Sequence, residues 1–417
     1  MLSRKLFLKG SLVASASIGS MAHAAQLQRV STLSAGDVAS DEAFWQSVRA
    51  QYITGKLINL NNGGVNPQPQ PVRDAYMHNY LLCNDTPSYS MWRELDKQRE
   101  PLRKRLAELL GVSELEVAFN RNTTEGLNSI IFGLDLKVGD EVVLSNFDYP
   151  NIENAWKQRA KRDGIKLNYV DLQMPATDDD AVVQQYADAI TPRTKLVHIT
   201  HMMNWTGHVM PVRRIADIAH AKGCEVMVDG SHSFAHLIYT IPQLGADYYA
   251  TSCHKWLGAP FGTGLMYIRQ DKIQKVWALL SAPIPDADNI GKFECLGTRS
   301  FAAEMTISTA LDYYDTLGAE RKLARLRYLK NYWVEKLQGK PGFKLYSSLQ
   351  PQHGAAIATF GIEGLDAAVI EKALAQANIH TSIVKHGNVN GVRISPNIYT
   401  SLAELDSLVK VVGGMGE

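Results

Sequence analysis

The stretch that most constrains this chain is Thr251-Ser252-Cys253-His254-Lys255-Trp256, held between two apolar runs. Ala246 to Ala250 lead into it. The turn Gly258-Ala259-Pro260-Phe261-Gly262 follows, and Gly264 to Ile268 form the second run. This order predicts strand, polar turn, strand, with one lysine at a strand end. Apolar flanks desolvate such an amine and favour its neutral form, and a neutral amine attacks a carbonyl carbon to form a Schiff base. Taken alone, the stretch fits a solvated turn lysine equally well.

A second stretch shifts the balance. Glu225 to His232 predict an apolar strand that ends in a carboxylate, Asp229, about one strand–helix–strand unit before Lys255. In open α/β sheets, ligand chemistry lies beyond the carboxyl ends of strands. A Schiff-base lysine with a carboxylate for a pyridinium nitrogen is what pyridoxal 5′-phosphate (PLP) enzymes require. Asp-Gly-Ser-His followed by Ser-Cys-His-Lys resembles the class V aminotransferase family, which includes cysteine desulfurases, isopenicillin N epimerases and kynureninases. The resemblance implies an α/β chain of PLP fold type I. Its large domain would hold a mostly parallel sheet flanked by helices, beside a smaller α+β domain.

Further motifs run from residue 59 to 399 in the family's order. Val117 to Phe119 predict a strand that feeds Asn120 to Gly126, then Leu127, Ile130, Ile131 and Leu134 at helical spacing. Free N–H groups at such a helix start hold an anion; an ordinary N-cap by Asn122 or Thr123 is the plainer alternative. The resemblance implies a phosphate loop at Thr123 and Thr124, with Ser252 and His254 adding to the grip. Tyr149, before Pro150, matches the family's ring that stacks on the cofactor, or packs as a core tyrosine. The segment His201 to Gly207 resembles the family's His-x-x-Asn-x-x-Gly turn, which implies that Asn204 hydrogen-bonds the cofactor's phenolic oxygen. His232 falls where the family has Gln or His for the same oxygen. Val392 to Tyr399 resemble the family's Arg-x-Ser-Pro motif and imply that Arg393 holds the substrate carboxylate, a task for a planar, two-pronged donor; a strand-edge salt bridge is the alternative. The loop Asn61-Asn62-Gly63-Gly64 would lie over the substrate, with Asn62 in contact. Thr298 would reach the neighbouring subunit's phosphate, so a homodimer with shared sites is expected.

Other chemistries fit poorly. His198 and His201, three apart on a strand, face opposite ways, and His232 and His236 lack a third ligand, so no metal is expected. Gly262-Thr263-Gly264 precedes a strand rather than a helix, against a nucleotide loop. A formal net charge of +1 leaves no electrostatic footprint for nucleic acid.

The N-terminus reads as a leader. Ser3 to Lys9 are basic, Gly10 to Met21 small and apolar, and Ala22-His23-Ala24 fits a cleavage site. The basic run resembles a twin-arginine export motif but has Lys5 at its second arginine, so a plain secretory route stays open. Either route implies a periplasmic protein. The expected layout is a leader (1–24), an arm with part of the small domain (25–70), a large domain (71–299) and a C-terminal small domain (300–417). Cys83, Cys224, Cys253 and Cys295 form no C-x-x-C pair, and Cys224 and Cys253 are expected as buried thiols rather than disulfide partners.

Together these imply a PLP enzyme acting near the α-carbon of an amino acid or a larger substrate containing one. Export and the epimerase-like motifs point to tailoring of a peptide siderophore of the pyoverdine type. A sulfoxide C–S lyase of thiohistidine biosynthesis is the enzymatic alternative. An exported, non-catalytic ligand-binding protein is the alternative from another class. A desulfurase needs a cysteine on a mobile loop shortly before the carboxylate arginine, and residues 380–392 contain none.

Overall fold

The computed structural model describes residues 23–415. Most of the expected leader, residues 1–22, lies outside them. His23 and Ala24, at the expected cleavage site, begin a helix over 23–30, and His23 packs on Phe44 and pairs with Ser47.

A seven-stranded sheet fills the large lobe, in the order Val117–Asn120, Gly264–Ile268, Tyr248–Ser252, Glu225–Asp229, Thr194–Thr200, Glu141–Ser145, Lys166–Val170. The last five are parallel to one another, and Gly264–Ile268 runs antiparallel to both its neighbours. Side chains alternate across the sheet. Val143, Val197, Val226, Val228 and Tyr249 join the core on one face, while Val142, Leu144, Leu196, Met227, Tyr248 and Ala250 join it on the other. Two covered faces explain the near-continuous apolar strands.

The small lobe is α+β. Its antiparallel sheet has the order Ser382–His386, Val389–Ile394, Ala358–Ile362, Phe343–Leu345. Helices Ala319–Leu337, Ala367–Gln376 and Leu402–Gly413 pack on it. Leu60 enters this core, and Ile58–Asn59 pair with Ile379–His380, so part of the N-terminal segment belongs to the small lobe. The arm helix Glu42–Arg49 wedges Phe44, Trp45 and Val48 against Trp256, Leu317, Leu326 and Ile357.

From Phe301 the chain is helical with breaks at Thr306 and Gly318 (φ +87°), and Phe301, Met305, Ile307 and Leu311 lie in the large-lobe core. Helix Arg99–Leu110 follows a 3-10 turn over Leu95–Gln98 and becomes regular only from Arg99, because Pro101 cannot donate back to residue 97. It does end at Gly111, in the left-handed region at φ +69°. Helix Gln70–Asp85 was not anticipated; it buries little besides Val72, so its sequence carries no strong apolar stripe.

A tight turn, Gly387-Asn388, joins the strands Ser382–His386 and Val389–Ile394 and ties the lobes together. Asn388 exchanges hydrogen bonds with the backbone of Met174 (2.9 and 2.7 Å), and His386 Nε2 donates to the Asn146 carbonyl at 2.5 Å. The His386 ring stacks on Trp205 with centroids 4.4 Å apart.

Candidate active site

The site forms where the strand ends of the large sheet meet the helix mouth at Thr123. Asn122 caps the helix Thr123–Gly133, accepting from Glu125 N at 2.9 Å. Gly126 lets the helix seat on the sheet: a Cβ there would lie 2.8 Å from Ala250 Cβ and 2.4 Å from Asn120 Nδ2. The Ser252 hydroxyl accepts from Thr123 N (3.0 Å) and lies 2.8 Å from Thr123 Oγ1. Two hydroxyls therefore meet at a helix N-terminus, with Thr124 beside them on the same cleft. Capping by Asn122 leaves these hydroxyls beside the helix mouth, so it does not exclude an anion there.

Lys255 stands at the base of this cleft. Its carbonyl accepts from Asn66 Nδ2 at 2.7 Å, the preceding carbonyl of His254 accepts from Asn66 N at 3.3 Å, and the following carbonyl of Trp256 accepts from the buried Lys322 ammonium. These bonds hold the backbone on both sides of the lysine. Nζ lies 3.2 Å from His232 Nε2. Burial lowers the amine's pKa to about 8, with Asp229 raising it and Arg393 lowering it further. Asp229 is buried, and its Oδ1 accepts from Ser231 N (2.8 Å) and Ser231 Oγ (2.5 Å).

Gly64, Asn122, Thr123, Thr124, Tyr149, Ile152, Asp229, Ser231, Ser252, His254 and Lys255 line one cleft of about 220 Å³. A larger cavity, about 1040 Å³, opens at the opposite end of the sheet beside Lys137, Lys195 and Trp277 and holds none of these groups. His254 Nδ1 faces the Thr263 carbonyl at 2.9 Å, and burial lowers its pKa. With Nδ1–H so used, this ring donates to a phosphate only when protonated, a state that an anionic tail favours.

Arg393 reaches in from the small lobe. Nη1 donates to the Asn204 carbonyl (2.7 Å) and Nη2 to Asn61 Oδ1 (2.8 Å), while Nε has no partner. Burial pulls its pKa down to about 10. It makes no salt bridge among the described residues, contrary to the strand-edge alternative. Asn204 Oδ1 is buried without a hydrogen-bond partner.

Not every expected residue meets the cleft. Asn62 is fully buried and fully used: Nδ2 donates to the carbonyls of Asn59 and Ser395, and Oδ1 accepts from Tyr399 (2.6 Å) and Asn59 (3.1 Å). It braces the loop and is not a substrate contact; its neighbour Asn61 touches Arg393 instead. Thr298 is exposed and does not line this cleft. Sequence reading missed Asn61, Asn66 and Ser231. Only their adjacency to the Gly63-Gly64 loop and to Asp229 marked them.

The family model for class V aminotransferases matches residues 58–408. The chain belongs to that family. Among its relatives, the isopenicillin N epimerase of Streptomyces clavuligerus is 26% identical over 89% of this chain and 98% of its own length. A cysteine desulfurase of Haloferax volcanii is 28% identical over 87% and 90%. Among solved structures, the cysteine desulfurase of Thermococcus onnurineus superposes with a TM-score of 0.77 at 24% identity, covering 88% of this chain and 96% of the other. That likeness is one of fold. The class V enzyme is PLP-dependent, and its residues fit the group. The Thr123–Ser252 hydroxyl pair at a helix mouth and a lysine of lowered pKa beside Asp229 are what a pyridine ring with a phosphate tail needs. Membership also sets aside the binding-protein alternative.

Proposed function

We propose that the enzyme acts at the α-carbon of an amino acid, free or carried within a larger molecule. The observation that carries this is the shared field at Lys255, whose amine feels the Asp229 carboxylate and the Arg393 guanidinium within one buried cleft. Bound there, PLP supplies an electron sink for the charge left when a bond at that carbon breaks. Thr123, Thr124, Ser252 and His254 would hold its phosphate, Asp229 its ring nitrogen, His232 and Asn204 its phenolic oxygen, and Tyr149 would cover its face. Arg393, unpaired by any carboxylate of the described protein, takes the substrate carboxylate. Lys255 then moves the proton at the α-carbon, with a pKa near the operating range of a general base.

The desulfurase branch lacks its nucleophile, and the segment where it would sit is the tight Gly387-Asn388 turn. We further propose that the leader sends the enzyme to the periplasm and that its substrate is a peptide siderophore of the pyoverdine type. The three-part N-terminal pattern and the similarity to an isopenicillin N epimerase support this reading. Helix Gln70–Asp85 and the turn after it expose Met77, Tyr80, Leu81, Tyr89 and Trp92, an apolar strip that supports a homodimer.

The test is to incubate the loaded enzyme in deuterated water with free amino acids and with peptide-bound glutamate, following products and α-deuterium by mass spectrometry. Lys255→Ala should abolish both the visible absorption of the bound cofactor and the exchange. Release of a sulfur fragment from a sulfoxide substrate would move the assignment to the C–S lyase. Exchange that survives Lys255→Ala would overturn it.

A further inference from the structure

Behind the reactive lysine runs a chain of contacts that the chemistry above does not use. The N–H of Ala356 donates to His236 Nε2 at 3.0 Å. A neutral imidazole has one donor and one acceptor nitrogen. The His236 proton therefore sits on Nδ1, which donates to the His232 carbonyl at 2.8 Å. The His236 ring lies on that of Trp256, with centroids 3.7 Å apart and planes 24° from parallel. Trp256 is itself buried, with its carbonyl held by Lys322. The indole is wedged in one orientation, and its N–H points at His232 Nδ1, 3.5 Å away. An indole nitrogen only donates. The opposite nitrogen, His232 Nε2, is the one that faces Lys255 Nζ.

We propose that Trp256, aligned by His236, is a positioning residue that fixes the tautomer of His232 with its proton on Nε2. The consequence for the site rests on the reading given under Proposed function, in which an oxygen of the cofactor lies beside His232. Burial keeps His232 neutral, so it has a single proton to place. On Nε2 that proton makes a donor, to the phenolic oxygen or, above the lysine pKa of about 8, to the lone pair of the deprotonated amine. On Nδ1 it would leave the Nε2 lone pair facing the lone pairs of either acceptor and would set two donors, the indole and Nδ1–H, against each other. The indole N–H thus orients a side chain that touches the cofactor without touching the cofactor itself.

The experiment is nitrogen NMR of the full-length chain labelled with 15N-histidine, before and after addition of PLP, at a pH of about 9.5, above the Lys255 pKa of about 8, so that the amine is neutral. His232 is assigned by the loss of its signals in His232→Gln. We expect the Nε2–H form to dominate in the wild type. In Trp256→Phe, which keeps the stacked ring and loses only the N–H, the ratio of Nε2–H to Nδ1–H should fall about fivefold, the effect of one neutral hydrogen bond, while His236 stays Nδ1–H. A merely structural tryptophan would leave that ratio unchanged. An Nδ1–H form dominant in the wild type, or an unchanged ratio in a folded Trp256→Phe, overturns the proposal; if the variant does not fold, the wild-type tautomer decides alone. Failure of the wild type to develop a visible band with PLP would sink the cofactor assignment instead, and leaves the tautomer measured without PLP standing.

Discussion

Replacing Lys255 with methionine should make the cofactor-free protein more stable at neutral pH. Burial brings the folded amine from 10.5 to about 8. At neutral pH that depression corresponds to about 3 kcal/mol of cost in the folded state. Solvent reaching the cleft reduces it, and methionine also forfeits the contact with His232, about 1 kcal/mol. The net gain expected for Lys255→Met is therefore about 1–2 kcal/mol at pH 7. The pH dependence carries the sign. The unfolded lysine binds its proton more tightly than the folded one, so the wild type gains stability as pH rises from 8 to 10.5. The advantage of methionine is full below pH 8 and gone above about 10.5. Denaturant titrations of both cofactor-free proteins at pH 7 and pH 10 measure it. A methionine variant that is less stable at pH 7, or whose gain does not shrink at pH 10, refutes the claim that this amine is held against its charge.

Several other variants probe separate parts of the site. Thr123→Val and Ser252→Ala each remove one of two hydroxyls 2.8 Å apart; each should weaken PLP binding about fivefold in equilibrium titrations, the size of one hydrogen bond. Gly63→Ala places a methyl 3.2 Å from Arg393 Cζ; it should raise KM for a carboxylate substrate while leaving cofactor affinity unchanged. Gly126→Ala forces its methyl against Ala250 and Asn120, and should cost about 1–3 kcal/mol by overpacking, seen as a lower melting temperature. Glu294→Ala should cost about 3–5 kcal/mol, because it leaves Arg103 unpaired at one fork and frees Phe119 N, both held by that carboxylate.

The large sheet was legible because its strands are buried on both faces and punctuated by polar ends; those ends set Asp229 and Lys255 at strand ends, and the family resemblance supplied the role of Ser252. Asn62 was misread because two adjacent asparagines in an irregular loop carry no periodicity to say which one faces inward. The structure resolves that through Tyr399, a partner 337 residues away. The same limit hid Arg99, Arg103, Glu294 and Glu304, a buried charge network whose members lie far apart in the chain. The relation of Trp256 to His232 and His236 depends on a turn after Asp229 whose path only packing defines.

The Gly387-Asn388 turn bears on how this scaffold could change its chemistry. With Asn388 clasping Met174 on both sides and no spare residues between the two strands, a cysteine introduced there would be fastened in place. A sulfur shuttle needs reach as well as a thiol. Moving this enzyme toward persulfide chemistry would thus take an insertion that lengthens the hairpin, and no exchange of one side chain for another would suffice.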